Sequence, residues 1–263
     1  DDVLEQKKNN YLAAITQGKK VWGIAFLDIS TGDFLVSEGN MNHLNQLIQK
    51  FSPSEILVPK PLKSTFGALF GTELNPFFQE DWVFQDTFAN ELLQQHFKTK
   101  SLKGFGLENF STGIISAGAV LHYLSETQHN KLQHITSLQK IASDDFVGID
   151  RFTARNLELL YSTSIGGVAL IDVIDYTTTA MGGRLLRKWV SFPLKSVEKI
   201  QERHAVVKAY IAADDSTVQL RHHLKKIGDI ERLMAKIATQ KISPRELNIL
   251  QQSILESNHI KQT

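Results

Sequence analysis

Cysteine is absent from this chain, which removes disulfides, thiolate chemistry and cysteine-ligated zinc together and fits a reducing cytosol. No run approaches 18 apolar residues, so a membrane span is not expected and the cytoplasm is the expected location. The longest apolar stretches, such as Val21 to Leu27, have the length of strands. Neither charge sign is in excess: 29 Lys and Arg stand against 28 Asp and Glu, a formal net of +1. A dedicated duplex-binding domain carries a basic face that neutralises several phosphates, and this balance offers no support for one acting alone. There is no GxxxxGK[ST] loop, so nothing supplies the amide cradle and lysine that hold nucleotide phosphates. Signal peptide, internal repeat and low-complexity tract are lacking too. The chain opens on Asp1 rather than Met and closes among polar residues at Thr263, so a segment excised from a longer protein is expected.

What is present suits a folded protein. At 263 residues the chain is long enough for two modest domains, and its 42% hydrophobic and 22% charged residues are ordinary for a globular one. Val3, Leu4, Tyr11, Leu12 and Ile15 recur at roughly helical spacing and predict a lead-in helix over Asp2 to Thr16. The apolar runs Val21–Ile29 and Phe34–Val36 flank Ser30-Thr31-Gly32-Asp33 and predict a β-hairpin. Leu44, Leu47, Ile48 and Phe51 suit a helix stopped by Pro53, and Glu55–Val58 reads as a short buried strand. Trp82–Phe84 is a weaker strand candidate. Phe88–Phe97 and Ile114–Leu124 read as helices, the second behind a Ser111-Thr112 cap pair. Strands alternating with helices indicate an α/β layer fold.

After about Arg151 the strand signals vanish, Phe146–Ile149 being a last strand or an extended link. Val197, Ile200, His204, Val207 and Ile211 step by three and four and form one face of a helix capped by Ser196. Leu220, Leu224 and Ile227 make a second stripe; Ile230, Leu233 and Ile237 make a third. Ser243-Pro-Arg-Glu246 is a helix start in which Ser caps, Pro fits the first turn and Glu reaches back to the cap amide. An all-α helical domain, incomplete at its last helix, therefore follows the α/β domain. The boundaries are placed at 1–130 for the α/β domain with its lead-in helix and 131–263 for the helical one.

Between them, residues 170–194 read LIDVIDYTTTAMGGRLLRKWVSFPL. Asp175–Thr179 is a polar turn, Met181-Gly182-Gly183 a flexible joint, and Arg184–Trp189 an amphipathic helix ended before Pro193. This string resembles the core-domain signature of the MutS family of DNA mismatch repair proteins. Asn156–Leu159, Arg203, Asp229-Ile-Glu-Arg-Leu233 and Ser243-Pro-Arg-Glu-Leu247 resemble further core landmarks in the family's order. Asn10–Ile15, Leu27-Asp-Ile-Ser-Thr-Gly32 and Gly104-Phe-Gly106 resemble its connector domain. The resemblance covers nearly the whole chain; His204-Ala205 and Val190-Ser191-Phe192 depart from the commonest pattern. It implies an RNase H-like connector, a mixed sheet with helices, followed by part of a helical core or lever domain. It also implies a longer parent that hydrolyses ATP with Mg2+, binds mismatched duplex DNA and works as a dimer, and whose connector meets a MutL-type partner. No Phe-x-Glu triplet of the kind the family wedges at a mispair occurs here. Neither ATP hydrolysis nor mismatch reading is expected of this segment, and DNA binding by it alone is expected to be weak or absent.

No catalytic, cofactor-binding or metal-ligating residue is expected. The competing class is an RNase H-like nuclease with a helical appendage, using Asp28 with Asp33, Glu55, Asp81 or Asp86 on metal ions; the favoured reading gives Asp28 and Asp33 to turn hydrogen bonds. A free-standing adaptor is a third reading. Asp28–Gly32 is a faint match to actin-like phosphate loops, and Gly104-Phe-Gly106 is a turn rather than a dinucleotide site. His222 and His223 diverge by about 100° on a helix and suit a solvated face rather than a metal. His204 reads as a core residue. Gly182, Gly183, Arg184, Arg187 and Lys188 form the candidate interdomain junction, with Arg184 and Lys188 on one helix face. Those cations either grip a neighbouring domain or pair with Asp172, Asp175 or a core-helix Glu, the second being favoured. Leu185, Leu186 and Trp189 are expected to be buried, so that Trp189→Ala costs about 3–5 kcal/mol.

Overall fold

The structure, a computed structural model, describes residues 5–71, 74–108, 110–127, 132–141, 146–149 and 151–261. The chain divides into two compact units, Asn10–Ile141 and a second one made of Asp1–Asn9 with Ala142–Thr263. The boundary expected at 130 falls outside the described residues. The first unit continues past it because Leu132, Ile135 and Leu138 are buried in its core.

The first unit is built on a mixed six-stranded sheet. The strands are β1 (Tyr11–Gln17), β2 (Trp22–Asp28), β3 (Asp33–Gly39), β4 (Glu55–Pro59), β5 (Pro76–Gln79) and β6 (Gln139–Lys140), in the order β5-β4-β1-β2-β3-β6. β1, β2 and β3 pair antiparallel, whereas β4 joins β1, β5 joins β4 and β6 joins β3 in parallel. The expected hairpin is β2–β3, closed by Gly32 at φ 77°, a conformation that glycine reaches without cost. Tyr11–Thr16 is a strand and not part of a lead-in helix; residues 2–4 of that expected helix lie outside the described residues. β1 sits between β2 and β4 with Ala13, Ala14 and Ile15 fully buried, so both of its faces must be apolar. Such a run carries no period that separates helix from strand.

Helices α1 (Met41–Phe51), α2 (Phe66–Phe70), α3 (Asp86–His96) and α4 (Thr112–Thr127) complete this unit. α1 buries Leu44, Leu47, Ile48 and Phe51 as its spacing predicts, and Asn40 caps it by accepting from the His43 N–H at 2.9 Å. The cap of α4 comes from afar: Glu38 on β3 accepts from the Thr112 hydroxyl at 2.9 Å and the Gly113 N–H at 2.8 Å. Trp82–Phe84, expected as a strand, lies in a 3-10 turn over Asp81–Phe84, and the edge strand in this region is β5.

In the second unit, Phe146 makes a single antiparallel bridge to Leu194. Among the described residues seven helices follow: α5 (Arg151–Asn156), α6 (Leu170–Ile174), α7 (Ala180–Ser191), α8 (Val197–Ala212), α9 (Asp214–Leu224), α10 (Ile230–Ala238) and α11 (Pro244–Ile260). The local start signals hold. Ser196 caps α8 by accepting from the Lys199 N–H, and Ser243 and Glu246 form the capping box of α11. Polar ties join the helices: His223 on α9 pairs with Glu256 on α11 at 2.6 Å, and Lys236 on α10 pairs with Glu246 at 2.6 Å. The pairing with Lys236 first, then the bonds from Ser243, hold the Glu246 carboxyl down at about 2. His223 therefore does not lie on a purely solvated face. His204 is exposed rather than in a core, and so are Val197, Val207 and Ile211 of the α8 stripe. The helix forms as its period predicts, and of that stripe Ile200 is half-buried.

Candidate functional site

The signature string folds around one buried cation. Asp175 follows α6 and accepts from the Thr177 N–H at 3.0 Å and its hydroxyl, a short Asx turn. Thr179 then caps α7 by accepting from the Gly182 N–H at 3.0 Å. The helix thus begins at Ala180, and Gly182 and Gly183 lie inside its first turn rather than in a joint before it. The buried face of α7 carries Gly183, Arg184 and Ser191, with Arg187 half-buried on the same side.

Arg184 is 5% exposed and spends its guanidinium on partners from two other segments. Its two terminal nitrogens donate to the two carboxylate oxygens of Asp229 at 2.7 Å each, a bidentate fork at the cap of α10. One also donates to Glu231 at 2.7 Å, the other to the Gln6 carbonyl at 2.9 Å. Burial opposes the charge; the bonds and attraction from Asp229 and Glu231 outweigh it, and the Arg184 pKa stands above the ordinary range. Separating such a pair strands a desolvated charge, so the fork locks α7 to the start of α10.

Residues 5–9 are drawn into the same cluster. Lys7 donates to Asp175 at 2.9 Å and to the Thr177 carbonyl at 3.1 Å. Arg232 donates to the carbonyls of Lys8 at 2.7 Å and Glu5 at 3.2 Å. The stem of Lys7 lies against Gly183: a β-carbon there would stand 2.6 Å from Lys7 Cγ and 2.7 Å from Cδ. Absence of a side chain at 183 is thus explained by close approach within a helix. Burial raises the Asp175 carboxyl, but the bonds from Thr177 and Lys7 outweigh it and leave its pKa lowered.

Of the three cations singled out in the sequence, one forms the site. Pairing with a core-helix Glu is realised by Glu231, while Asp229, the principal partner, stood in the sequence only within the Asp229–Leu233 landmark string. Asp175 instead pairs with Lys7, and Asp172 accepts from the Ala169 N–H at 3.1 Å. Lys188 is exposed, so it does not share the buried environment of Arg184. Trp189 and Leu185, expected in a core, are 41% and 49% exposed, because the polar face of α7 is the one that turns inward. Trp189 is covered on one side by Arg203 of α8, whose guanidinium lies 3.7 Å from the ring centroid.

The carboxylates weighed for nuclease chemistry do not converge. Asp28 is fully buried and accepts from the N–H groups of Asn10 at 3.2 Å and Ser30 at 2.8 Å and from the Ser30 hydroxyl at 2.7 Å. Asp33 accepts from the Tyr11 hydroxyl at 2.6 Å, Glu55 from Tyr123 at 3.3 Å and Asp86 from Asn90 at 3.2 Å. Among the described residues no group of three or more His, Cys, Asp or Glu is arranged to hold a metal ion. Nor is any described helix long and apolar enough to cross a membrane.

Comparison with known proteins assigns the two halves separately. The family profile of MutS domain II matches residues 10–136, and that of MutS domain III matches residues 152–263. The chain belongs to the MutS family. It holds the connector and core domains of that family in sequence. It is 50% identical over 254 residues to the DNA mismatch repair protein MutS of Flavobacterium psychrophilum, covering 97% of this chain and 29% of that protein. The protein of the same name from Cytophaga hutchinsonii is 48% identical, with 97% and 30% covered, and that from Parabacteroides distasonis 43% identical, with 100% and 30% covered. The chain thus spans under a third of the length of the curated relatives it matches.

Proposed function

We propose that this chain is the non-catalytic scaffold and relay segment of a MutS-type DNA mismatch repair ATPase. It links the mismatch-binding and ATPase parts, and its α/β unit offers a docking surface to a MutL-type partner. The observation that carries this reading is the ordered pair of family matches, on a chain spanning 29% of relatives named DNA mismatch repair protein MutS. The chemistry supports it: Asp28 and Asp33 are engaged in turn and tyrosine hydrogen bonds, and the sequence has no phosphate loop. ATP and Mg2+ are held elsewhere in the parent, a cytoplasmic dimer whose other domains supply the main contacts to mismatched DNA. Gly182, Gly183, Arg184, Arg187 and Lys188 form the junction through which the helical unit responds to its neighbours. The uncovered stripes of α7 and α8 are faces on which other parts of the parent pack. The relay is allosteric when two states of these helices are biased from both ends.

The test is binding of the purified chain to an immobilised MutL-type protein from the same organism, alongside assays of ATP hydrolysis and of Mg2+-dependent DNA cleavage. Binding without either activity is the expected result. A folded chain that fails to bind removes the docking role, and Mg2+-dependent cleavage lost in Asp28→Asn installs the nuclease reading in its place.

A further inference from the structure

Residues 5–9 precede the α/β unit in the chain but are held within the helical one, and the way they are held is unusual. Arg184 and Arg232 bind this segment through the carbonyls of Gln6, Glu5 and Lys8, so they read its backbone rather than its side chains. The side chain that reaches α7 is that of Lys7, while the Lys8 ammonium lies over the Tyr161 ring at 5.6 Å from its centroid. The Lys7 ammonium reaches Asp175 and the Thr177 carbonyl, and its stem fills the space left by Gly183. No apolar residue of the segment anchors it, since residues 5–9 are Glu, Gln, Lys, Lys and Asn. The receiving surface meanwhile stands without it: Arg184 keeps Asp229 and Glu231, Arg232 keeps Asp229 at 3.7 Å, and Asp175 keeps its turn with Thr177.

We propose that residues 5–9 form a detachable strap, seated in a preformed peptide-docking site on α7 and α10 that takes a backbone turn, closed by the Lys8 N–H on the Glu5 carbonyl at 3.2 Å, through its carbonyls and the Lys7 stem. The binding is made of charge-assisted hydrogen bonds at a partly exposed surface. The bonds of Lys7, 38% exposed at its side chain, exchange with water and weaken with salt. Release of the strap converts five pinned residues into free tether ahead of Asn10, reaching about 17 Å when extended. Gly183 is the gate of the seat, because any side chain there displaces the Lys7 stem.

The experiment is trypsin cleavage of the full chain under native conditions, followed by mass spectrometry at the Lys7–Lys8 and Lys8–Asn9 bonds. Cleavage in such an equilibrium reports the population of the released strap. With a docked strap these bonds are cut about tenfold slower than in a synthetic peptide of residues 1–14, and added salt narrows the gap. Gly183→Ala and Arg232→Ala each raise the rate about fivefold or more while helical circular dichroism is unchanged, and Gly182→Ala leaves it alone. Ala is a better helix former than Gly, so faster cleavage in Gly183→Ala cannot come from a weaker α7. Arg232→Ala keeps the test readable if Gly183→Ala does not fold. Cleavage of the unsubstituted chain as fast as the peptide overturns the proposal, and so does a rate that Arg232→Ala leaves unchanged.

Discussion

The two units of this chain solve the same problem to different degrees. In the α/β unit nearly every large apolar side chain is covered: Phe26, Phe34, Ile15, Leu57 and Leu121 are at most 1% exposed, and among the described residues Val21, Phe77 and Trp82 are the large ones left open. In the helical unit fewer are covered, Ile171, Phe192, Leu233 and Leu250 among them. Val197, Val207, Ile211, Leu185, Trp189 and Leu255 are all more than 40% exposed, while the best-buried groups include Arg184 and Ser253. Hydrophobic burial holds the first unit, at roughly 25 cal/mol per Å² of apolar surface removed from water. Caps, ion pairs and one bidentate fork carry much of the specificity of the second. Open apolar stripes of this kind are what the proposed packing against further parts of a longer protein requires, and the chain spans under a third of its relatives' length.

Each prediction attacks that contrast. The largest effect belongs to Phe26→Ala, which empties a fully buried site where the ring stacks on Phe51 at 4.4 Å; a loss of about 3–5 kcal/mol in urea unfolding of the α/β unit is expected. Next comes Arg184→Ala, which leaves Asp229 without its fork and lowers the helical unit's stability by about 3 kcal/mol, read from that unit's own urea transition. Trp189→Ala is now expected to cost only about 1 kcal/mol, since the ring is 41% exposed and loses chiefly its stack on Arg203. A loss above about 3 kcal/mol would restore the buried helix that the sequence suggests.

Acid acts on the helical unit through Glu246. Its folded pKa, about 2, lies below the ordinary 4.5, so the stabilisation is complete above 4.5 and is lost as pH falls from there towards 2. Melting of the helical unit between those values falls with acid, and Glu246→Gln flattens that slope. The smallest effect is expected at Ile211→Lys: at 73% exposure it changes stability by no more than about 0.5 kcal/mol in this chain. A large loss there would show a covered stripe.

These contrasts explain what the sequence disclosed. Local chemistry was legible: the Gly32 hairpin, the Ser196 cap and the Ser243–Glu246 box each depend on residues within a few positions of one another. Long-range choices were not. Tyr11–Thr16 is a strand because β2 and β4 flank it, and the acceptor at the start of α4 is Glu38, 74 positions from Thr112. At the candidate site, the sequence offered Gly182, Gly183, Arg184, Arg187 and Lys188 together, and of these Arg184 makes the fork to Asp229. Which face of α7 turns inward depended on Asp229, Glu231 and the backbone of residues 5–9, none of them near Arg184 in sequence. A stripe of Leu185 and Trp189 reads as core from period alone, and only the fold shows that the buried side is the one with the glycine and the arginine.

Native-state hydrogen exchange on the whole chain tests the contrast between the units most directly. Amides of β1 and β2 are expected to exchange only through complete opening of the sheet, with an opening free energy at least about 2 kcal/mol above that of α8 amides. Equal protection in α8 and in the central strands would contradict the account, because it would mean that the helical unit closes its own core without further partners.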